Sequence, residues 1–335
     1  MTSTTGVTVA AGPVLGDGLL NVKKPGGWTS HDVVAKLRSL LRGPKVGHAG
    51  TLDPAATGVL PVLIGRGTRI AEYLVDWDKE YRAVLRLGET TDTQDATGAV
   101  LSRSPTDSLT QEAIRTVIER FRGRLMQVPP MYSAVKVGGV PLYRVARAGR
   151  TVERGPREVT VHDIEVLGID GRDVCLRVVC SKGTYVRTLC ADIGEALGVG
   201  GHLLALERRR VGPLTIERAL TLEDIGSRLL LGRLADDVIP LDEALASLPA
   251  LVVDEAASGR VLHGAPVSGR AVMGGARAGM SGLAAGQTVR LKDPSGRLLA
   301  LGKVGAAGVG PGASASTSAR DAERMVSIVK VLADA

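Results

Sequence analysis

Apolar and polar positions alternate along several stretches of the chain, and this alternation predicts strands. Residues 79–87 alternate, with Tyr81, Ala83, Leu85 and Leu87 on one side, which is typical of a half-buried strand and places Tyr81 on the apolar face. Two more strands are predicted over 159–169 and 174–181, because a turn sequence separates them. These strands predict an antiparallel sheet in the middle of the chain.

Other stretches have apolar residues three and four positions apart, which predicts helices between the strands. One helix is expected over 31–41 with Ser30 as its N-cap, and another over 110–121. A third starts near Thr184 and carries Arg187 in its first turn, where the helix dipole favours anions. Because the dipole disfavours a cation at that end of a helix, we expect a nearby carboxylate to pair with Arg187. Mixed strands and helices indicate an α+β fold.

The composition changes near residue 249, which predicts two domains. A larger domain is expected over 18–249, and a small β-rich domain, with more glycine and shorter apolar segments, over 250–335. Residues 1–17 carry a single charged residue and are expected to form a disordered tail. The Gly/Ala/Ser stretch 305–318 is expected to be a flexible insertion in the small domain.

Positive charge is concentrated in one segment. The chain has a formal net charge of +7, and residues 120–158 alone hold nine basic and two acidic residues. A local basic surface of this kind suits a polyanion such as nucleic acid. We interpret 122–158 as a mobile basic arm with a short helix over 141–148. An ordinary surface insertion is the alternative.

Several classes of site are not indicated by the sequence. The three cysteines have no CxxC spacing and the five histidines have no HxxxH pairing, so neither a disulfide framework nor a metal site is predicted. No cofactor loop is predicted either. There is no apolar run of 18 residues and no signal-peptide pattern. A protein of the reducing cytoplasm is expected.

The stretch 47–60 carries the candidate chemistry. It holds one carboxylate, Asp53, and one imidazole, His48, among glycines that permit sharp turns. Pro54 restricts the backbone after the carboxylate, and an apolar strand over 59–64 follows. The pattern fits a rigid loop that displays a catalytic acid, and it also fits a structural turn capped by Asp53.

Five segments, in order, resemble the motifs of the TruB-type tRNA pseudouridine synthases. They are NVKKPGGWTSHDVV at 21–34, GHAGTLDPAATGVLPV at 47–62, KEYRAVLRLG at 79–88, QVPPMYSAVKVGGVPLYRVARAG at 127–149 and CSKGTYVRTL at 180–189. The resemblance runs from about 18 to 248. It implies the pseudouridine-synthase catalytic fold, a mixed and mainly antiparallel sheet flanked by helices and loops. It also suggests a small C-terminal PUA-like RNA-binding domain.

The resemblance also implies roles for residues at the matching positions. Asp53 takes the place of the essential aspartate and Tyr81 that of the tyrosine that stacks on the target base. Tyr185 would lie against the uridine, and Arg187 would pair with Asp53.

Further residues match positions that contact the RNA. His48 matches the histidine beside the flipped nucleotides, Leu206 the pocket leucine, and Lys24 a residue of the N-terminal motif. Segment 122–158 resembles the RNA-clamping thumb of the family, where Arg144 and Arg147 are expected to contact phosphates.

The implied activity is isomerisation of uridine 55 in the tRNA T-arm by a monomer that needs no metal or cofactor. Asp53 would attack either the base or the ribose of a flipped nucleotide. One alternative is a guide-RNA-dependent synthase acting on ribosomal RNA, against which the complete thumb argues. Another is an RNA-folding chaperone that uses the same groove without catalysis.

Overall fold

The computed structural model describes residues 15–133, 135–273, 280, 282–306 and 324–334. Contacts divide the chain into two compact units. The first holds Leu20–Val62 and Glu72–Leu234; the second holds 15–19, Leu63–Ala71 and the described residues from Ala235 onward. Most of the predicted N-terminal tail, 1–14, and of the predicted insertion, 307–318, lies outside the described residues. The domain bounds predicted above stay predictions.

Short strands outnumber helices in the described chain. The strands are β1 (Gly18–Lys24), β2 (Val46–His48), β3 (Thr57–Ile64), β4 (Lys79–Leu87), β5 (Glu89–Thr91), β6 (Val100–Arg103), β7 (Gly123–Gln127), β8 (Lys136–Val137), β9 (Val140–Pro141), β10 (Arg157–Asp170), β11 (Asp173–Cys180), β12 (Gly201–Val211), β13 (Leu214–Thr215), β14 (Ile239–Pro240), β15 (Ala250–Val252), β16 (Val267–Ser268), β17 (Thr288–Lys292), β18 (Leu298–Val304) and β19 (Met325–Val331). The α-helices are α1 (Ser30–Leu41), α2 (Ala71–Leu74), α3 (Gln111–Glu119), α4 (Leu142–Arg147), α5 (Val186–Ala196), α6 (Leu222–Leu230), α7 (Leu241–Ala244) and α8 (Glu255–Leu262).

The first unit is built on a large mixed sheet. Its strands follow the order β1-β3-β12-β4-β11-β10-β7, with β2 beside β3 and β13 beside β12. The pairs β12-β4, β4-β11, β11-β10 and β10-β7 are antiparallel, whereas β12 pairs with β3 in parallel. The predicted fold class, α+β with a mainly antiparallel sheet, is confirmed.

The core of the first unit lies on the face of β4 that the alternation predicted. Ala83 and Leu85 are fully buried there and share a cluster with Leu189 and Ile193 of α5. Burying each such leucine or isoleucine contributes about 1.5–3 kcal/mol relative to exposure. This packing holds α5, and therefore its first turn, against the sheet.

The N-cap of α1 differs from the prediction. Thr29 is the cap and forms a capping box with Asp32, whose side chain accepts from the Thr29 amide at 2.8 Å. Ser30 is already helical. Its buried hydroxyl accepts a hydrogen bond from the amide of Leu52 at 2.9 Å, so tertiary structure gives that hydroxyl a different partner.

The basic segment 122–158 does include a strand of the sheet. β7 pairs with Arg157–Val161 of β10 at the edge of the sheet, and only its last residue, Gln127, is buried. An edge strand with one partner carries a weak apolar pattern, which is why the sequence did not indicate it. The predicted short helix is present as α4.

The second unit has its own core under a five-stranded sheet of order β15-β17-β18-β19-β16. The predicted β-rich C-terminal region is therefore present. It also contains a helix that the sequence did not indicate, α8, which Asp254 caps by accepting from the Ala257 amide at 2.7 Å. Ser258 and Gly259 obscure the helical pattern.

Candidate active site

The loop between β2 and β3 displays Asp53 at the surface of the first unit. Leu52, 4% exposed, fixes the loop in the core beside Asp53, and its amide is held by the hydroxyl of Ser30. The amide of Ala56 donates to the carbonyl of Asp53 at 3.1 Å and closes a turn after it. Gly50 has φ of +93°, a conformation that favours glycine. The loop is therefore anchored on both sides of the carboxylate.

Arg187 lies directly behind the Asp53 carboxylate. Its Nε is 2.9 Å from Oδ2 of Asp53, and the Arg187 side chain is 5% exposed while that of Asp53 is 41% exposed. The other guanidinium nitrogens donate to the carbonyls of Tyr132 at 2.8 Å and of Thr93 at 3.3 Å. The ion pair expected from the first turn of α5 is present. It leaves one side of the carboxylate open.

A second carboxylate lies near the same arginine. Asp95 Oδ2 is 3.6 Å from Nη1 of Arg187. Burial raises the pKa of Asp53, Arg187 and Lys24 act to lower it, and the charge of Asp95 raises it further. The net direction is upward, so Asp53 holds its proton more tightly than an ordinary aspartate.

Two tyrosines approach the site from different elements. Tyr81 lies on β4 and is 9% exposed, and burial raises the pKa of its hydroxyl. Tyr185 is the N-cap of α5, and its pKa is also raised by burial. The side chain of Gln127 bridges the Tyr185 backbone, accepting from the amide at 3.0 Å and donating to the carbonyl at 3.3 Å.

The three remaining residues that the sequence predicted near the site, Lys24, His48 and Leu206, also lie in the first unit. Lys24 is fully buried, and its Nζ donates to the carbonyls of Pro25, Trp28 and Pro54, which places it beneath the loop. Burial lowers the pKa of Lys24 to about 8. Burial also lowers the pKa of His48. Leu206 is partly buried and packs against the core.

No described contact brings Arg144 or Arg147 of the thumb to the Asp53 carboxylate. Arg144 lies in α4 and is exposed. The backbone of Arg147 ends the same helix, and its side chain lies outside the described part of the protein. Their proposed phosphate contacts stay a prediction.

Three residues at the site were not singled out from the sequence. Asp95 belongs to an acidic, threonine-rich loop, Gln127 to a weak edge strand, and Arg208 to a run of three arginines. Arg208 is 1% exposed and hydrogen-bonds to the carbonyls of Gly50 and Val59 on either side of Asp53. Of these three residues, only Asp95 could have been found from the sequence. It lies in a threonine-rich polar loop, and loops of that kind often carry binding or catalytic residues.

The described residues contain no group of three or more His, Cys, Asp or Glu side chains that could hold a metal ion. Within the same ranges, no helix is both long and apolar enough to cross a membrane. The site presents a half-exposed carboxylate, a buried arginine behind it, and two tyrosines.

Comparison with known proteins matches the chain to one family. A family model described as TruB family pseudouridylate synthase, N-terminal domain, matches residues 38–186, and one described as tRNA pseudouridylate synthase B C-terminal domain matches 187–252. The chain is 46% identical over 296 residues to tRNA pseudouridine synthase B of Thermobifida fusca, covering 86% of this chain and 94% of the relative.

The chain belongs to the TruB family of pseudouridylate synthases. A second relative, tRNA pseudouridine synthase B of Ralstonia pickettii, is 50% identical over 253 residues, which are 74% of this chain and 78% of that protein. Among solved structures, a chain of a Cbf5-Nop10-Gar1 complex superposes with a TM-score of 0.72 at 31% identity, covering 95% of this chain and 85% of that one. The TruB assignment agrees with the motifs in the sequence.

Proposed function

We propose that this TruB-family protein isomerises uridine 55 in the T-arm loop of tRNA, with Asp53 as the nucleophile. The observation that carries the proposal is the asymmetry of the Asp53 and Arg187 pair. The carboxylate is 41% exposed, whereas the guanidinium behind it is 5% exposed. A substrate can therefore reach the carboxylate while the arginine holds its orientation.

The proposed reaction rearranges one glycosidic bond and consumes no other reactant. On binding, the enzyme flips the uridine of the tRNA out of its stack so that its base enters the site. Asp53 attacks the base or the ribose, and the bond between C1′ and N1 breaks. The uracil rotates, C5 bonds to C1′, the C5 proton leaves and N1 gains a proton, so that product and substrate are isomers and Asp53 is free again.

The neighbouring side chains have distinct parts in this proposal. Tyr81, which is largely buried on β4, stacks on the base, and Tyr185 lies against the uridine. Arg187 orients the Asp53 carboxylate and, with Lys24, favours its ionised form. His48 and Leu206 contact the flipped nucleotide and its neighbours.

The substrate is inferred from the relatives and from the distribution of charge. Both relatives described above are named tRNA pseudouridine synthase B. The basic thumb, including Arg144 and Arg147, clamps the T-arm through its phosphates and shape. We further propose that the protein acts as a monomer in the cytoplasm, without metal or cofactor, and that its C-terminal β unit is a PUA-like RNA-binding domain.

Replacing Asp53 by Asn tests the nucleophile directly. An amide of the same shape cannot form the adduct, so we expect single-turnover conversion of a T-arm hairpin to fall by about 10⁴-fold or more. The hairpin is a purified transcript, and pseudouridine is measured by tritium release from C5. Asp92→Asn is the control, because Asp92 lies in a separate loop where it accepts from the Ala99 amide. Conversion by Asp53→Asn at the wild-type rate would refute the assignment.

The same assay separates the alternative functions. The alternatives are a guide-RNA-dependent synthase and an RNA-folding chaperone. Wild-type conversion of the hairpin with no other RNA or protein present supports a stand-alone enzyme. Binding of tRNA without any conversion would favour the chaperone. Conversion that appears only after a guide RNA is added would favour the guide-dependent reaction.

A further inference from the structure

Arg208 of β12 is bonded to the catalytic loop at three places. Its Nε donates to the carbonyl of Val59 at 2.7 Å, and its Nη2 and Nη1 donate to the carbonyls of Gly50 at 3.0 Å and Thr51 at 3.3 Å. Gly50 and Thr51 precede Asp53, and Val59 follows it. One guanidinium therefore ties together both ends of the loop that displays the carboxylate.

The backbone of Arg208 also lies between two strands of the site. It pairs in parallel with Gly58 of β3 and antiparallel with Tyr81 of β4. Gly58 has φ of +106°, and a Cβ there would overlap the backbone nitrogen and carbonyl of Arg208. The strand that starts after Asp53 thus passes unusually close to Arg208. The same residue touches the loop of Asp53 and the strand of Tyr81.

A buried arginine in this place is costly to the fold. Arg208 is 1% exposed, and its three bonds to the loop end on neutral carbonyl oxygens instead of carboxylates. A buried cation carries a large desolvation penalty, which an apolar side chain of similar volume would avoid. The planar guanidinium of Arg208 fixes three carbonyl groups relative to one another, which an apolar side chain cannot do.

We propose that Arg208 is a positioning residue that sets the distance between the Asp53 carboxylate and the Tyr81 ring. Without the three hydrogen bonds of this guanidinium, the position of segment Gly50–Val59 relative to β12 and β4 is no longer fixed. Asp53 then samples orientations away from the bound uridine. A displacement of about 1 Å costs roughly 10²-fold in rate. This inference rests on the proposed role of Asp53 as nucleophile.

The test compares Arg208→Lys and Arg208→Gln with the same changes at Arg209, the next residue of β12. Arg209 pairs with Glu207 at 3.0 Å and with Glu217, and its side chain is 39% exposed, so its replacement leaves the loop untouched. Lysine keeps the charge at 208 but presents its donors from one point, so it cannot bind all three carbonyls in the same geometry. Full-length proteins are used throughout.

Three readouts are measured for every variant. Amide hydrogen exchange reports the order of residues 50–59 without any substrate. Single-turnover conversion and the dissociation constant for a T-arm hairpin report chemistry and binding separately. For Arg208→Lys we expect faster exchange in residues 50–59, a rate lower by about 10- to 100-fold, and a dissociation constant within about twofold of wild type. The Arg209 variants should match wild type in all three.

The outcomes distinguish this inference from the proposed function. Wild-type exchange in residues 50–59 of Arg208→Lys would overturn the inference, whatever the rate. Failure of both Arg208 variants to fold, while both Arg209 variants fold, would also overturn it, because Arg208 would then hold the sheet and not the loop. If wild type itself converts no hairpin, the proposed function fails, yet exchange still decides whether Arg208 orders the loop.

Discussion

At the scale of single residues, the site is a set of opposed charges at short range. Asp53 is drawn toward its protonated form by burial and by Asp95, and toward its ionised form by Arg187 and Lys24. Arg187 is the nearest of these groups, at 2.9 Å. The ionisation of the proposed nucleophile is thus set by three partners from separate parts of the chain, and it can be shifted by changing any one of them.

The pH dependence of conversion follows from this balance. Because the pKa of Asp53 is raised above the ordinary 3.8 and only the carboxylate attacks, the rate should fall on acidification with a midpoint above 3.8. Asp95→Asn removes a charge that raises this pKa, so its midpoint should move to lower pH. Single-turnover rates across the pH range in which both proteins stay folded measure the midpoints.

Asp92→Asn provides the control for that experiment. Asp92 is in the same loop as Asp95 and accepts from the Ala99 amide at 2.8 Å. Its midpoint should equal that of wild type. An upward shift for Asp95→Asn would contradict the electrostatic account.

At the scale of elements, close approach between strands places the loop. β3 pairs closely with β12 at Gly58, and α5 contacts the loop through the ion pair between Arg187 and Asp53. β7 reaches α5 through Gln127, whose side chain bonds the Tyr185 backbone twice. Each contact joins segments that are distant in sequence, and each depends on one residue type that a substitution would remove.

Gly58→Ala should destabilise the first unit more than a glycine change at a matched backbone angle. Gly123 has φ of +108° and open space where a Cβ would stand, whereas Gly58 has φ of +106° and its Cβ would meet the Arg208 backbone. The two variants share the conformational cost of about 1–3 kcal/mol. Gly58→Ala adds overpacking of about 1–3 kcal/mol.

Urea unfolding of wild type, Gly58→Ala and Gly123→Ala measures the difference in the free energy of unfolding. Equal losses for the two variants would show that the approach of β3 to β12 tolerates a methyl group.

The thumb makes a separate prediction about RNA affinity. Neutralising Arg144 and Arg147 together should weaken binding to a T-arm hairpin and reduce the slope of log K against log salt by about 1.5, because two fewer sets of counterions are released. The control neutralises Arg103 and Arg209, which pair with Glu89 and Glu217 on the protein. An unchanged slope for the thumb variant would mean that neither arginine contacts phosphate.

At the scale of the whole molecule, one chain supplies every residue of the proposed site. Asp53, Tyr81, Tyr185 and Arg187 all lie in the first unit, and the second unit has a core of its own. The net charge of +7 favours association with a polyanion over self-association through like-charged surfaces.

The protein should therefore be active as a single chain. Light scattering on the purified protein is expected to give a mass near 34.8 kDa, and specific activity should not change on dilution. A mass of twice that value, together with activity that falls on dilution, would show that a second copy completes the site.

The fold class and the family could be predicted from the sequence because both are expressed in patterns that lie within short segments. The alternation in residues 79–87 predicted β4 with its bounds, and the motif around Asp53 indicated the family that the comparisons confirm. Arg187 was expected to have a carboxylate partner because of its place in the first turn of a helix. Periodicity and helix electrostatics act over a few residues, so a single segment is enough to express them.

Tertiary structure alone decided which of several similar residues serve the site. Arg208, Arg209 and Arg210 are identical in type and adjacent, yet only Arg208 is buried against the loop. Alternation along the strand turns Arg209 to the other face, and a register shift in the pairing of β12 with β4 separates Arg208 from Arg210, which pairs with Glu80 instead. Thr29 caps α1 because Ser30 is engaged with Leu52, which is 22 positions away. Such choices depend on which distant segments meet, and that is determined by the topology of the sheet.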